Sequence, residues 1–106
     1  MSTGVVQVTF THSGRDVVDA LVRDLVSSGL VACGQVDGPV SSLYRWRGKV
    51  EQAEEWRAVL KTTQDAAPRV VGAIRSAHPY ETPEIVVTPV TGGDPDYLAW
   101  VADESS

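Results

Sequence analysis

The sequence predicts an α+β fold in which strands and helices follow one another as βαββαβ, with a short helix at the end. Segments in which apolar and polar residues alternate indicate strands, and segments in which apolar residues recur every three or four positions indicate helices. Glycine and proline residues separate these segments and mark the turns. The 106 residues fit one domain, 1–106, with a single hydrophobic core.

The first strand and the first helix have different periodicities. Residues 5–10 carry apolar side chains on one face at a period of two, which is typical of a buried strand. Over residues 14–28, valine and leucine recur at helical spacing, and Ser13 is a candidate N-terminal cap. Gly29 supplies the left-handed residue with which many helices end. We therefore expect the first strand to lead into an amphipathic helix.

The middle of the chain predicts a long β-hairpin. Residues 30–36 are apolar and residues 40–47 alternate, so we interpret the intervening Asp37-Gly38-Pro39 as a bend or bulge within one strand. Gly48 and Lys49 offer a turn, and residues 56–63 alternate again in the returning strand. These arms are long for a small domain. Unpaired strand edges invite association with another chain, so we expect an oligomer.

The last third of the chain predicts a helix, a strand and a terminal helix. Asp65 is a candidate cap for the second helix, and Pro79 prevents that helix from continuing. Residues 84–90 form the next strand, in which Pro89 indicates a sheet edge or a strand end. Asp94-Pro95 opens the short final helix. The complete order is that of a ferredoxin-like sandwich, whose antiparallel sheet buries one face under two helices.

Composition excludes several classes of function. A net charge of −5 and a pI of about 4.8 disfavour a nucleic-acid partner, because nucleic-acid binders normally carry a basic face. The apolar runs are far shorter than the roughly 18 to 20 residues that cross a bilayer, and the first residues lack a basic signal segment. A single cysteine, Cys33, suits a reducing compartment. We expect a cytoplasmic protein without a membrane partner.

The segment His78-Pro79-Tyr80-Glu81-Thr82-Pro83-Glu84 holds the densest set of reactive side chains. Imidazole and carboxylate groups are ligands for Zn, Cu(II) and Ni, and His78, Glu81 and Glu84 would converge if the loop turns. The alternative is a helix-ending histidine followed by solvated acids. The sequence therefore makes these three residues candidate metal ligands and leaves the alternative open.

Several other residues have simpler interpretations. Cys33 lies in an apolar strand, where the role of a small buried hydrophobe is favoured over that of a reactive thiol. His12 could bind a metal or stabilise a loop, but a surface histidine without function is the favoured interpretation. Glu54 and Glu55 point to opposite faces of a strand and are interpreted as solvated charges or strand-edge gatekeepers. Lys61 could present its ammonium group to an anion. The sequence contains none of the common catalytic or nucleotide-binding motifs, so we expect no enzymatic activity and no organic cofactor.

Five segments, taken in order and spacing, resemble the CutA family of divalent-cation tolerance proteins across almost the whole chain. They are residues 30–33 (LVAC), 42–51 (SLYRWRGKVE), 60–63 (LKTT), 78–84 (HPYETPE) and 96–100 (DYLAW). The resemblance implies a homotrimer with a fold similar to the PII signalling proteins, in which long hairpins pair across subunits and leave clefts between chains. It also implies a role in tolerance to copper and other divalent cations.

The resemblance implies two alternative binding functions. His78 matches a histidine taken as a copper ligand in the family, whereas Ala77, Thr9 and Phe10 stand where some members have a second histidine and a cysteine. We therefore expect copper or another divalent metal to be bound weakly. The alternative is a PII-like signalling protein that binds a small metabolite or a partner protein, and a trimer that only scaffolds other proteins is a third possibility. The residues expected to line the inter-subunit cleft are Tyr44, Trp46, Lys61, Tyr80 and Glu84.

Overall fold

The computed structural model describes residues 3–105 and contains the predicted elements in the predicted order. No helix in this range is long and apolar enough to cross a membrane. The order of the elements confirms the α+β, ferredoxin-like arrangement with a long hairpin and a short C-terminal helix. The elements are β1 (Val5–His12), α1 (Arg15–Ser27), β2 (Cys33–Trp46), β3 (Lys49–Thr63), α2 (Ala67–Ala77), β4 (Ile85–Pro89) and α3 (Pro95–Glu104).

The four strands form one antiparallel sheet in the order β2-β3-β1-β4. In the centre, Val8 of β1 pairs with Leu60 of β3 on one side and with Val87 of β4 on the other. Strands β2 and β4 are therefore the two edges of the sheet. Pro89 ends the edge strand β4, in agreement with the expectation that proline would be found at an edge or a strand end.

The hydrophobic core lies between α1, α2 and one face of the sheet. Val8, Phe10 and Leu60 from the sheet are completely buried, together with Val18 of α1 and Ile74 of α2. Burying a side chain of this size stabilises the folded state by about 1.5 to 3 kcal/mol relative to leaving it in water. The period-two and helical patterns that predicted these elements are the patterns that bury this core.

Helix α3 packs on the opposite face of the sheet, against β1 and β3. Its Val101 is fully buried, and the hydroxyl of its Tyr97 lies 3.3 Å from the sulfur of Cys33 at the start of β2. Cys33 is half-buried at this contact and does not belong to the core between the sheet and α1. The interpretation of Cys33 as a buried core hydrophobe is therefore wrong.

The hairpin is longer than its apolar pattern predicts. The register shifts between Asp37 and Val40, which confirms the predicted bulge, and β3 begins at Lys49 instead of at residue 56. Its first half consists largely of exposed polar residues, so it shows little apolar pattern and depends on its pairing with β2. At the tip, Arg47 and Gly48 both have positive φ, of 51° and 80°, as two-residue hairpin turns require.

Two of the three predicted helix caps are wrong. Gly14, and not Ser13, is the N-cap residue of α1, and Ala66, and not Asp65, is that of α2. The hydroxyl of Thr63 accepts a hydrogen bond from the Ala66 amide at 3.2 Å, so the preceding strand supplies a partner at the start of α2.

The predicted cap of α3 and the predicted end of α1 are confirmed. Asp94 accepts a hydrogen bond from the Tyr97 amide at 2.9 Å, in the geometry of an N-terminal cap. Gly29 has a φ of 77°, the left-handed conformation expected after a helix.

Candidate functional site

The end of α2 holds His78 against the last residues of β1. His78 has an extended backbone, as expected before Pro79, and only 7% of its surface is exposed. Its Nε2 atom lies 2.7 Å from the carbonyl oxygen of Thr11, and its Nδ1 atom lies 3.2 Å from the amide nitrogen of Tyr80. A carbonyl accepts and an amide donates, so Nε2 carries the hydrogen. Both ring nitrogens of His78 are thus engaged in fixing the following loop.

His12 is the second member of an aromatic cluster that consists of His12, His78 and Tyr80. The ring of His12 is stacked on Tyr80, with centroids 5.1 Å apart, and its centroid lies 5.0 Å from that of His78. Its Nδ1 atom accepts a hydrogen bond from the Gly14 amide at 2.8 Å, and the side chain is buried. The interpretation of His12 as a surface residue is therefore wrong, because the loop after α2 covers it.

A cleft of about 800 Å³ lies between the β2–β3 hairpin and residues 80–84. Four of the five predicted cleft residues, Tyr44, Trp46, Tyr80 and Glu84, line it within a single chain. Hairpin and loop also meet directly, since Arg47 at the hairpin tip forms an ion pair with Glu81 at 3.2 Å. The sequence motifs around residues 44–46 and 78–84 are thus brought together in space.

Lys61 lies outside this cleft. It pairs across the sheet with Gln7 and Cys33, and its ammonium group donates a hydrogen bond to the side-chain oxygen of Gln35 at 3.1 Å. The predicted cleft was one between subunits, so the place of Lys61 in a trimer stays a prediction.

The three candidate metal ligands do not form a preorganised metal site. Glu81 and Glu84 line the cleft with exposed side chains, whereas both nitrogens of His78 are hydrogen-bonded. Across residues 3–105, no group of three or more histidine, cysteine, aspartate or glutamate residues could hold a metal ion. This arrangement fits a weak, exchangeable cation contact and does not fit a closed coordination shell.

Glu55 is a cleft residue that the sequence did not single out. It is only 7% exposed and lines the cleft, whereas the adjacent Glu54 is exposed. The interpretation as a solvated charge is therefore right for Glu54 and wrong for Glu55. Alternation places Glu55 on the sheet face away from α1 and α2, but sequence alone did not show that residues 80–84 line the same cleft.

An ion pair beside the cleft fixes the bulge of β2. The guanidinium of Arg57 donates to both carboxylate oxygens of Asp37, at 2.7 and 3.2 Å. This hydrogen bonding lowers the pKa of Asp37, and the same contact raises the pKa of Arg57, with a smaller contribution from the charge of Glu84. Arg57 is thus paired with Asp37.

Comparison with known proteins decides the family. Residues 6–104 match the family model described as CutA1 divalent ion tolerance protein, which spans nearly the whole chain. The chain belongs to the CutA1 family. Among its relatives, the divalent-cation tolerance protein CutA of Escherichia coli O139:H28 is 38% identical over 100 residues, which cover 94% of this chain and 89% of the relative. The resemblance inferred from the five sequence segments is confirmed.

Solved structures of CutA1-family proteins have the same fold. The divalent cation tolerance protein from Thermus thermophilus is 31% identical with a TM-score of 0.93, over 96% of this chain and 99% of the other. The protein from Archaeoglobus fulgidus, described as a periplasmic divalent cation tolerance protein, is 25% identical with a TM-score of 0.90, over 94% and 97% of the two chains. CutA1 proteins from distant organisms thus share the arrangement of hairpin, sheet and helices seen here.

Proposed function

We propose that this chain contributes to divalent-cation tolerance by binding copper or a similar ion weakly at the exposed carboxylates of Glu81 and Glu84. The observation that carries this proposal is the position of both side chains at an accessible cleft, on a loop held by His78. Among residues 3–105, Glu81 is engaged only by an exposed ion pair with Arg47, and such pairs contribute about 0 to 1 kcal/mol. An incoming cation can therefore displace Arg47 easily.

We assign His78 a positioning role in this function. Its two hydrogen bonds hold residues 79–84 against the end of β1, and so set where Glu81 and Glu84 stand. Metal ligation by His78, as the family resemblance implies, would require one of these bonds to break.

The proposal is tested by titration calorimetry with Cu(II). The double variant Glu81→Gln/Glu84→Gln is expected to bind copper about tenfold or more weakly, equivalent to about 1.4 kcal/mol. The control Glu54→Gln/Glu104→Gln removes two exposed carboxylates away from the cleft lining and is expected to bind as the wild type does. Copper binding that is lost in a folded His78→Gln variant and kept in Glu81→Gln/Glu84→Gln would overturn the carboxylate assignment.

We further propose that the chain works as a homotrimer in the cytoplasm, as a binding protein and not as an enzyme. The two open sheet edges support assembly, as do Leu43 and Val50, which are both 66% exposed on the hairpin. The absence of common catalytic motifs from the sequence supports a binding role.

One observation favours a second candidate function, that of a PII-like sensor. The cleft is large enough for a small metabolite and combines the aromatic side chains of Tyr44, Trp46 and Tyr80 with the almost fully buried Glu55. A protein that only buffers cations would not need a cleft of this size and composition. A small metabolite or a segment of a partner protein is the occupant proposed under this second function.

A further inference from the structure

Glu55 occupies an unusual position for a charged side chain. It lies at the point where the hairpin leaves the body of the sheet, opposite Val40 and directly after the bulge of β2. More than nine-tenths of its surface is buried, and it lines the cleft. Charged side chains are rarely buried to this extent unless they are paired.

No partner for the Glu55 carboxylate is found among residues 3–105, either as a hydrogen bond or as an ion pair. Every completely buried side-chain nitrogen or oxygen atom in this part of the chain has a hydrogen-bond partner. Neither carboxylate oxygen of Glu55 is therefore completely buried, and Glu55 lines the cleft. The cleft thus contains an almost buried acceptor that the described chain leaves free.

The neighbouring cations do not neutralise Glu55. Arg57 donates to both oxygens of Asp37, and Arg47 forms an ion pair with Glu81. Arg45 lines the cleft but is exposed and forms no ion pair with Glu55 in the described structure. Two further acidic residues line the cleft, Glu81, which is paired with Arg47, and Glu84, which adds to the negative charge there.

The aromatic residues that line the cleft indicate which class of ligand would bind there. Tyr44, Trp46 and Tyr80 line the same cleft as Glu55. The ring of Tyr80 is stacked on His12, and the guanidinium of Arg47 lies 5.5 Å from the centroid of the Trp46 ring. Aromatic faces attract ammonium and guanidinium groups. A single carboxylate can serve as the counter-charge of an organic cation, whereas a tightly held metal ion needs three or more ligands, and residues 3–105 contain no group of three such side chains that could hold one.

We propose that the cleft binds an alkylammonium or alkylguanidinium group, with the Glu55 carboxylate as its counter-charge, in a space that Tyr44, Trp46 and Tyr80 also line. The cationic group can belong to a free small molecule or to a lysine or arginine side chain of a second copy of this chain. This inference rests on the second candidate function, because it names the chemical class of its occupant. It does not depend on divalent-cation binding at Glu81 and Glu84.

The test uses probes of similar length and different charge. Cadaverine and agmatine carry the proposed groups, 1,5-pentanediol is neutral, and glutarate is anionic. Binding is followed through tryptophan fluorescence, to which Trp46 in the cleft contributes, and by calorimetry at physiological ionic strength. Glu55→Gln keeps the size and removes the charge, whereas Glu54→Gln makes the same change at an exposed position one residue away and serves as the matched control.

Two outcomes support the proposal and identify the source of the cation. If cadaverine or agmatine binds the wild type, and Glu55→Gln weakens binding by about tenfold or more while Glu54→Gln does not, the occupant is a free molecule. If no probe binds, but Glu55→Gln lowers the oligomer's resistance to dilution in native mass spectrometry and Glu54→Gln does not, the occupant is a side chain of a second copy.

Two other outcomes overturn it. If pentanediol or glutarate binds in place of the cations, the cleft is a ligand site of another class, and the sensor function stands without this inference. If no probe binds and Glu55→Gln matches Glu54→Gln in both binding and assembly, the sensor function loses its support as well. Far-ultraviolet circular dichroism of both variants, and the variant Glu55→Asp, establish that a loss is not due to misfolding.

Discussion

At the residue scale, the contact between Tyr97 and Cys33 shows how one hydrogen bond alters the chemistry of a side chain. The tyrosine hydroxyl lies 3.3 Å from the sulfur and links α3 to the start of β2. This hydrogen bond, together with burial and electrostatic repulsion from Cys33, raises the pKa of Tyr97 to about 12. The folded state therefore holds this proton more firmly than the unfolded state does.

The linkage predicts how stability depends on alkaline pH. The contribution of Tyr97 is fully present below its ordinary pKa of 10.0 and declines as the pH rises towards about 12. We expect ultraviolet absorbance to show one tyrosine that ionises near pH 12, and we expect Cys33→Ala to move this transition towards pH 10. Tyr97→Phe should remove it. A late transition that persists unchanged in Cys33→Ala would contradict the assigned cause.

The sequence identified which side chains belong to the site more reliably than it predicted how deeply side chains are buried. His78, Tyr80 and Glu84 were singled out because a histidine, a phenol and carboxylates lie between two prolines, and the structure places Tyr80 and Glu84 at the cleft. The burial of His12 and Glu55 was missed, because it depends on a loop that is distant in sequence. Local pattern carries no information on such long-range contacts.

At the scale of elements, the docking of α1 onto the sheet depends on the absence of a side chain at Gly34. A Cβ atom there would lie 2.6 Å from side-chain atoms of both Val22 in α1 and Leu60 in β3. Both neighbours belong to the core, so neither can move away freely. Gly34 thus permits the close approach of helix and sheet.

Gly34→Ala is accordingly expected to destabilise the folded protein by about 1 to 3 kcal/mol. The matched control is Gly72→Ala, since Gly72 lies exposed in α2 with nothing within 4 Å of an added Cβ. There alanine is expected to stabilise the protein by about 0.5 to 1 kcal/mol. Urea denaturation at equal protein concentration measures both. The account of helix docking fails if both variants shift stability in the same direction.

Periodicity predicted the elements that bury the core and was less informative elsewhere. The apolar faces of β1, α1 and α2 produce clear patterns, whereas the first half of β3 is polar because it lies in the exposed hairpin. Ser13 and Asp65 matched the composition of helix caps, but Gly14 and Ala66 occupy the cap positions. Side-chain identity alone does not determine which residue takes the cap conformation.

At the scale of the whole molecule, the cleft joins a hairpin and a loop that are about thirty residues apart in sequence. Family resemblance identified four of its lining residues, Tyr44, Trp46, Tyr80 and Glu84, while the alternation of strands indicated nothing about its existence. Lys61, predicted for the same site, lies elsewhere on the sheet within one chain. Its predicted role, like the homotrimer, concerns contacts between chains.

The proposed function requires that an assembly of this chain binds divalent ions weakly through the carboxylates of Glu81 and Glu84. Native mass spectrometry with and without Cu(II), Zn(II) and a chelator tests it most directly, because it reports subunit number and metal content together. The account predicts a trimer that gains up to one copper ion per chain, releases it to the chelator, and gains less in Glu81→Gln/Glu84→Gln. A trimer that binds no metal, or one that loses copper only in a folded His78→Gln variant, would contradict it.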